Sequence, residues 1–130
     1  MSGHRVILDS NIIIYLSKGL INIEDLFDKY DEFFISIITY MEVMGFQFSN
    51  QEEKDIVKGL LNKFEMISIN LEIAEIVISI RERKRIKLPD AIILATAKYK
   101  NCDLLTRNVR DFSNVEEAVN IIDPLSRGDG

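Results

Sequence analysis

Hydrophobic residues lie along this chain in short runs separated by longer segments with helical periodicity. The short runs are rich in β-branched and aromatic residues, as buried strands are. They cover residues 5–8, 33–35, 66–69, 103–106 and 118–122. Between the runs, apolar residues recur every three or four positions, which indicates amphipathic helices. Strands that alternate with helices predict an α/β fold, a sandwich with a mostly parallel central sheet.

Polar residues at the start of several periodic segments predict where helices begin. Asn22, Ser36 and Asn70 have side chains that accept hydrogen bonds from the free N–H groups of a first turn. The predicted helices cover about residues 12–18, 23–30, 37–48, 50–64, 71–85 and 88–97. The last one is apolar on all sides over residues 91–97, so we expect it to be buried in the centre of the domain.

Length and composition indicate a single domain. The chain has 130 residues, 47% of them hydrophobic, which is enough for one sizeable core. We expect the domain to cover residues 1–125 and residues 126–130 to form a mobile tail. The first residues lack the apolar segment of a signal peptide, and the single Cys102 has no disulfide partner. A cytoplasmic protein without a membrane span is therefore the expectation.

The net charge of −5 has the wrong sign for a protein that grips nucleic acid with its whole surface. Two interpretations follow. Either the chain has no nucleic-acid partner, or its acids are concentrated at a metal site while local basic patches contact phosphate. The positions of the charges distinguish these two cases.

Four acidic residues occupy positions where an α/β fold places a functional site. In open parallel sheets, ligands bind outside the carboxyl ends of the strands. Asp9 follows the first strand, and Asp111 follows the strand at 103–106. Asp90 begins the buried helix, and Glu42 lies in an otherwise apolar stretch, where an unpaired carboxylate costs several kcal/mol to bury. We therefore expect all four carboxylates to lie near the core.

Three of these acids, taken alone, have ordinary structural explanations, whereas Glu42 in its apolar stretch is harder to explain in this way. Asp9 can cap the helix that follows it, Asp90 can interact with its helix dipole, and Asp111 can be a turn residue. Together these explanations weaken, because converging carboxylates repel one another and take up protons unless a cation lies between them. Ligands that are all oxygen suit Mg²⁺ or Mn²⁺. Such a site fits phosphodiester hydrolysis, since bound ions activate water and stabilise the leaving oxygen.

Two other chemically reactive residues are poor candidates for the site. His4 stands alone near the N-terminus, and we expect it to be exposed to solvent. Cys102 has no histidine available to activate it, so we expect a small buried residue rather than a nucleophile.

Four short blocks of sequence contain these acids. The blocks are Leu8-Asp9-Ser10-Asn11, Ser36-x-x-Thr39-x-x-Glu42, Leu88-Pro89-Asp90-Ala91 with the apolar residues that follow it, and Leu104-Leu105-Thr106-Arg107-Asn108-x-x-Asp111-Phe112. In this order and spacing they resemble the PIN-domain family, especially the VapC-type toxins of prokaryotic toxin–antitoxin systems. The resemblance runs over residues 5–122.

The resemblance implies a three-layer α/β/α sandwich and an endoribonuclease that depends on Mg²⁺ or Mn²⁺. It implies metal ligands and catalytic residues at Asp9, Glu42 and Asp90. A further acid follows the strand of the fourth block in this family, but here Asn108 occupies the position where many relatives carry Asp. Three alternatives follow: Asp111 completes the site, Asn108 ligates through its carbonyl, or the site holds metal more weakly.

The resemblance also implies supporting residues and partners. Asn11 and Thr106, together with Asn108, are expected to orient the carboxylates and the attacking water. VapC-type proteins commonly dimerise and are inhibited by a cognate antitoxin. The expected partners are therefore an RNA substrate, an antitoxin protein and a second copy of the chain.

Two groups of basic residues are candidates for phosphate contacts. Arg107 and Arg110 flank the proposed site and are the stronger candidates for binding RNA. A second group lies at the end of the predicted helix at 71–85 and just beyond it. Its members are Arg81, Arg83, Lys84, Arg85 and Lys87. The alternative role of this second group is to complement the helix dipole from a solvated C-terminus.

Two other metal-dependent α/β classes fit the chain less well. A response-regulator receiver needs a phospho-acceptor Asp after a central strand, and none follows residues 33–36. A haloacid-dehalogenase-type phosphatase needs Asp-x-Asp after the first strand, and Asn11 occupies the second acidic position. A PIN-like module that binds RNA or protein without cutting stays open, because Asn108 departs from the family pattern. Metal-dependent cleavage distinguishes that module from an enzyme.

Overall fold

The computed structural model describes residues 4–126, and its five strands form one sheet in which every neighbouring pair is parallel. The strands are β1 (Arg5–Leu8), β2 (Glu32–Ser36), β3 (Glu65–Ile67), β4 (Asp103–Leu105) and β5 (Ile121–Ile122). The predicted α/β class and parallel sheet are confirmed. Residues 127–130, most of the predicted mobile tail, lie outside the described residues.

Seven helices connect the strands within residues 4–126. They are α1 (Ser10–Ser17), α2 (Ile23–Lys29), α3 (Ile37–Met44), α4 (Gln51–Leu61), α5 (Leu71–Arg83), α6 (Leu88–Lys100) and α7 (Val109–Phe112). The predicted caps are confirmed, since the side chains of Asn22, Ser36 and Asn70 accept backbone N–H groups in the first turns of α2, α3 and α5. None of these helices is long and apolar enough to cross a membrane.

Several element ends differ from the sequence prediction by a few residues, and three differences have a clear physical reason. α3 ends at Met44 rather than near residue 48, because Gly45 follows and glycine continues a helix poorly. β5 pairs over two residues rather than over 118–122, because Val119 belongs to a turn in which its N–H bonds to the carbonyl of Glu116. α7 is not predicted, since its four residues are too few to show a helical period.

The sheet carries a hydrophobic core on each face. In β1, Ile7 belongs to the core formed with α5 and α6, whereas Val6 and Leu8 belong to the core formed with α1 and α4. This alternation is the two-residue period of a strand. Helix α6 is buried at every position from Ala91 to Ala97, as its composition predicts. The three-layer α/β/α sandwich is therefore confirmed.

The strand order creates one crevice at the middle of the sheet. Across the sheet the order is β3-β2-β1-β4-β5. The chain therefore adds β2 and β3 on one side of β1, then returns and adds β4 and β5 on the other side. Ligands of open α/β sheets bind where the order reverses, outside the carboxyl ends of the two strands concerned. Here these are β1, which Asp9 follows, and β4, which Thr106 follows. The Asp9 N–H donates to the carbonyl of Leu105 at 3.0 Å, which joins the two strand ends.

A carboxylate in the loop after α7 ties that loop to α5 and α6. Glu116 Oε1 accepts hydrogen bonds from Lys98 Nζ at 3.1 Å and Arg83 Nη2 at 3.3 Å, and its side chain is 9% exposed. Burial by itself raises the pKa of Glu116. The hydrogen bonds from Lys98 and from the Ala118 N–H, together with the two cations, outweigh burial and hold the pKa below its usual value.

Glu116→Gln is expected to lower the free energy of unfolding at pH 7 by about 1 kcal/mol, because two cations lose their carboxylate. A carboxyl whose pKa is lowered on folding contributes stability that is present above its unfolded pKa and is lost as the pH falls through its folded pKa. The difference between the two proteins should therefore shrink on acidification. Urea denaturation at neutral and acidic pH measures it, with the exposed neighbour Glu117→Gln as control; a pH-independent loss contradicts the ionic role.

Candidate active site

Asp9 is the buried acid at the end of β1, with 6% of its surface exposed. Its Oδ1 accepts a hydrogen bond from the Ser10 N–H at 2.8 Å. Its Oδ2 accepts from Thr106 Oγ1 at 2.7 Å and from Asn11 Nδ2 at 3.4 Å. Asp9 is also the N-cap residue of α1. Asp9 can therefore cap α1 and also belong to the functional site, because capping holds its carboxylate at the crevice.

The loops after β1 and β4 are joined by side chains around Asp9. Thr106 Oγ1 accepts a hydrogen bond from the Asn108 N–H at 2.9 Å, while its hydrogen goes to Asp9. Asn11 Oδ1 accepts from the Arg107 N–H at 3.1 Å. Thr106 and Asn11 thus contact Asp9 directly, but Asn108 takes part through its backbone and its side chain is exposed.

Glu42 lies beside the Asp9 loop but is exposed, so the expectation of a carboxylate near the core is wrong for it. The nearly all-apolar sequence of α3 hides which face is buried: Thr39 and Val43 face the core, and Glu42 lies at the edge of that stripe. Water can solvate a carboxylate there, which removes the burial cost. Its Oε1 accepts a hydrogen bond from Ser10 Oγ at 2.5 Å.

Asp90 and Asp111 differ in how far they are buried. Asp90 is half-buried in the first turn of α6, so it lies at the border of the core as expected. Asp111 is exposed on α7, and the expectation of a position near the core is wrong for it. The single turn of α7 buries Phe112 instead, which leaves the preceding residue at the surface.

Repulsion between the carboxylates is evident at Asp9. Burial raises the pKa of Asp9 above its usual value, and it is the largest cause. Hydrogen bonds from Thr106 and Ser10 favour the charged form and oppose this rise. The negative charges of Glu42 and Asp111 raise the pKa further. Both of these exposed acids are therefore close enough to act on the buried one.

Asp90 belongs to the same electrostatic group. Burial is again the largest cause of its raised pKa, followed by the charges of Asp9, Asp111 and Glu42. The nearby cation of Lys87 lowers the pKa, but less than the other causes raise it. Four carboxylates from four separate elements thus repel one another at one edge of the sheet.

The donor set fits a hard divalent cation. All the candidate ligand atoms are carboxylate oxygens, which Mg²⁺ and Mn²⁺ prefer. As positioned, no three acidic, histidine or cysteine side chains among residues 4–126 converge as the ligands of one ion do. Glu42 and Asp111 are exposed at the surface of the crevice, whereas Asp9 is buried and Asp90 half-buried. A cation between these carboxylates offsets the repulsion that raises the pKa of Asp9 and Asp90.

The two arginines predicted to bind RNA differ in their surroundings. Arg107 Nη1 donates to both oxygens of Asp123, at 2.7 and 2.5 Å, and its guanidinium lies 5.4 Å from the ring centroid of Tyr15. Arg110 is exposed and has no side-chain partner in the described part of the chain. Both arginines and Asp111 line an open depression of about 670 Å³ on the surface of α7. Of these two arginines, Arg110 is the one whose charge has no partner in the described part of the chain.

The sequence alone does not predict a role for three residues of this region, which are Ser10, Tyr15 and Asp123. Ser10 links two acids, since its N–H donates to Asp9 and its hydroxyl to Glu42. The sequence does contain one indication of this role, because Ser10 directly follows the acid at the end of β1. Tyr15 and Asp123 hold Arg107, and they left no local signal because these contacts join distant parts of the chain.

The remaining expectations for reactive residues are confirmed. His4 is exposed and lies outside the acidic group. Cys102 is 4% exposed, and burial raises the pKa of its thiol to about 12, so it stays protonated and unreactive at neutral pH.

Fold and site together define a class of protein: a parallel three-layer α/β/α domain with an acidic site outside the carboxyl ends of its two central strands. The family model described as PIN domain matches residues 6–118. The chain therefore belongs to the PIN domain family.

Similar proteins carry related names. A ribonuclease VapC from Rickettsia bellii (strain RML369-C) is 28% identical to this chain over an alignment of 131 positions. The alignment covers 92% of this chain and 97% of that protein. A toxin–antitoxin complex from Klebsiella pneumoniae contains a chain 33% identical to this one, with a TM-score of 0.76 over 92% of this chain and 97% of that chain. DNA-bound VapBC from Salmonella typhimurium shares the fold at 21% identity, with a TM-score of 0.80 over 93% and 98% of the two chains. The VapC-type resemblance is confirmed, and the PIN domain together with the match to a ribonuclease VapC supports a nuclease.

Asp90→Asn is expected to stabilise the metal-free protein at pH 7. A carboxyl whose pKa is raised on folding contributes stability below its unfolded pKa and loses it as the pH rises through its folded pKa, so ionised Asp90 costs free energy at neutral pH. Thermal unfolding in EDTA should give a higher midpoint for the variant. The exposed acid of α2 provides the matched control, Asp28→Asn, which should leave the midpoint unchanged. Mg²⁺ or Mn²⁺ should then raise the midpoint of the wild type more than that of Asp90→Asn; a wild-type midpoint insensitive to both ions contradicts a cation at this site.

Proposed function

We propose that this protein is an endoribonuclease that depends on Mg²⁺ or Mn²⁺, hydrolyses RNA phosphodiester bonds and acts as the toxin of a prokaryotic toxin–antitoxin pair. The observation that carries the proposal is the group of four mutually repelling carboxylates at the crevice between β1 and β4. Membership of the PIN domain family and the similarity to a ribonuclease VapC support RNA as the substrate.

The proposed cation ligands and catalytic carboxylates are Asp9, Glu42, Asp90 and Asp111. When bound, Mg²⁺ or Mn²⁺ lowers the pKa of a water molecule and neutralises charge on the phosphate. Asp9 is kept in one orientation by donors from both loops of the crevice. Such prior orientation counts because the groups then need no reorganisation during the reaction.

The chain's own residues supply the proton transfer in this proposal. Asp90 is the candidate acceptor for the proton of the attacking water, because it is half-buried in the first turn of α6 and close enough to Asp9 to feel its charge. It makes no side-chain hydrogen bond within residues 4–126, so both of its oxygens are available. Ser10 keeps the carboxylate of Glu42 on the side of the crevice where Asp9 lies.

Asp111, rather than Asn108, is proposed to complete the acidic group. The charge of Asp111 raises the pKa of both Asp9 and Asp90, which requires it to be near both. The contact of Asn108 with the crevice is a backbone N–H bond to Thr106. In this proposal, the role of the acid that many relatives carry at the position of Asn108 is taken by Asp111, which lies three residues later in the sequence.

The proposed partners follow from the family. RNA would lie against the acidic group, with Arg110 supplying a free cation beside it and Arg107 committed mainly to Asp123. A cognate antitoxin protein is proposed because the similar protein from Klebsiella pneumoniae is part of a toxin–antitoxin complex. We also propose a homodimer and a cytoplasmic location, both on the resemblance to VapC-type proteins.

Cleavage of a mixed set of structured and single-stranded RNAs tests the activity. Wild-type protein is expected to cut with Mg²⁺ or Mn²⁺ and not with EDTA, and Asp9→Asn is expected to lower kcat/KM by about 10²–10⁴-fold. Because Asp9 also caps α1, Asp90→Asn is the second variant, and Asp28→Asn on α2 is the control that should cut like the wild type. RNA binding by the folded wild type without metal-dependent cleavage contradicts the enzyme and supports a PIN-like binding module.

A second pair of variants tests which residue completes the site. Asp111→Asn is expected to reduce cleavage by about 10–100-fold and to raise the Mg²⁺ concentration needed for half-maximal activity, because one carboxylate of the group is lost. Asn108→Ala is expected to stay close to the wild type, since only its backbone contacts the crevice. Cleavage assays over a Mg²⁺ titration measure both effects. The reverse result, with Asn108→Ala the weaker enzyme, assigns the role to Asn108.

A further inference from the structure

Positive charge is concentrated in one short segment of this acidic protein. Residues 81–87 contain five cations and one acid, although the chain as a whole carries −5. The cations are Arg81, Arg83, Lys84, Arg85 and Lys87, and all five are exposed. The segment comprises the last turn of α5 and the loop that leads into the first turn of α6, where Asp90 lies.

Only some of these cations have a structural explanation. Arg83 is paired with Glu116, and Arg81 Nε donates to the carbonyl of Ile86 at 3.2 Å. Both also lie within the last turn of α5, where a cation complements the helix dipole. Lys84 and Arg85 have no side-chain partner among residues 4–126. The dipole effect falls off beyond the last turn, so it does not account for Arg85.

The loop that carries the free cations is fixed at both ends. The Lys84 N–H donates to the carbonyl of Ile80 at 2.9 Å, and the Lys87 carbonyl accepts from the Ala91 N–H at 2.9 Å. Ile86 is 8% exposed and belongs to the core with α5 and α6. The backbone that presents these cations is therefore ordered before any ligand arrives, which lowers the entropic cost of binding.

The direction of the loop leads from the acidic group along the surface. Its backbone is extended at Lys84 and at Lys87. Lys84, Arg85 and Lys87 are all exposed, while Ile86 between them is buried and anchors the loop. Lys87 is the N-cap residue of α6, and Asp90 lies in the first turn of the same helix. Lys84 and Lys87 are three residues apart, so their Cα atoms are separated by at most about 10 Å.

We propose that Lys84, Arg85 and Lys87 form a phosphate-binding track that holds the backbone of the RNA strand next to the bond to be cut. The track continues into an open depression of about 440 Å³ lined by residues 81–86, which lies within the size range of ligand clefts. Lysine and arginine side chains neutralise phosphates without selecting a base. The track therefore binds single-stranded RNA of any sequence, and it rests on the proposed ribonuclease function.

Binding to a short fluorescein-labelled oligouridylate tests the track without requiring cleavage. The measurements use the Asp90→Asn protein with Mg²⁺, over a range of salt concentrations. Adding Lys84→Ala and Arg85→Ala is expected to weaken binding about tenfold and to reduce the slope of log K against log salt by about 1.4, the value for two lost contacts to a single strand. Lys87 is left intact because it is the N-cap residue of α6, and Arg81 and Arg83 because they hold the fold.

The control carries the same change of charge at the opposite edge of the sheet. Lys29 and Lys63 are exposed and precede β2 and β3, so Lys29→Ala with Lys63→Ala removes two cations far from the crevice. This control is expected to leave affinity and salt slope near those of the parent. Equal losses in both double variants mean a general effect of net charge and overturn the track, as does an unchanged affinity after loss of Lys84 and Arg85.

Cleavage by the otherwise wild-type enzyme gives a second readout. The Lys84→Ala, Arg85→Ala protein is expected to show a raised KM and an unchanged kcat, because the track binds substrate and transition state alike. A fall in kcat with KM unchanged overturns the proposal. If the wild type cuts no RNA, the proposed function fails while the binding measurement still decides whether the track exists.

Discussion

The constraint on which this structure depends is that Asp9 is nearly buried and yet has to carry charge. A buried carboxylate needs several donors, and no single loop supplies them all here. The Ser10 and Asn11 groups come from the loop after β1, and the Thr106 hydroxyl comes from the loop after β4. These two strands therefore have to be parallel neighbours with their carboxyl ends level, and the strand order provides this by reversing between them. The donors only partly offset burial, since the pKa of Asp9 stays raised, and the remaining cost is the one that a divalent cation would remove.

Two groups of charged residues in this protein have different surroundings. In the first, cations from one element meet a carboxylate from another, as Arg83 and Lys98 meet Glu116 and Arg107 meets Asp123. These pairs fix helices and loops to one another. In the second, like charges lie together: the acids at the crevice and the cations of the loop before α6. Like charges held together cost stability, so their arrangement points to a ligand of opposite sign, a cation in one case and a phosphate chain in the other.

Local sequence was enough to predict the fold but only part of the site. Asp9 and Asp90 could be placed because each follows directly from a strand end or a helix start, which the hydrophobic pattern marks clearly. Glu42 could not be placed correctly, because α3 is apolar on most sides and such a sequence does not show which face is turned inward. Asp111 lies on a helix too short to have a periodicity. The role of Arg107 depends on Asp123 and Tyr15, which are distant in sequence, and only the folded chain shows that its charge is already matched.

The exposed position of Glu42 has a consequence for how the proposed enzyme and an inhibitor would evolve. Asp9 is buried, whereas Glu42 is exposed at the rim of the crevice and accepts a hydrogen bond from one hydroxyl. Under the proposed function, an antitoxin that covers this rim silences the enzyme without entering the crevice. In that case a substitution at Glu42 that escapes the inhibitor also removes a proposed cation ligand, so resistance to the inhibitor comes with a loss of cleavage.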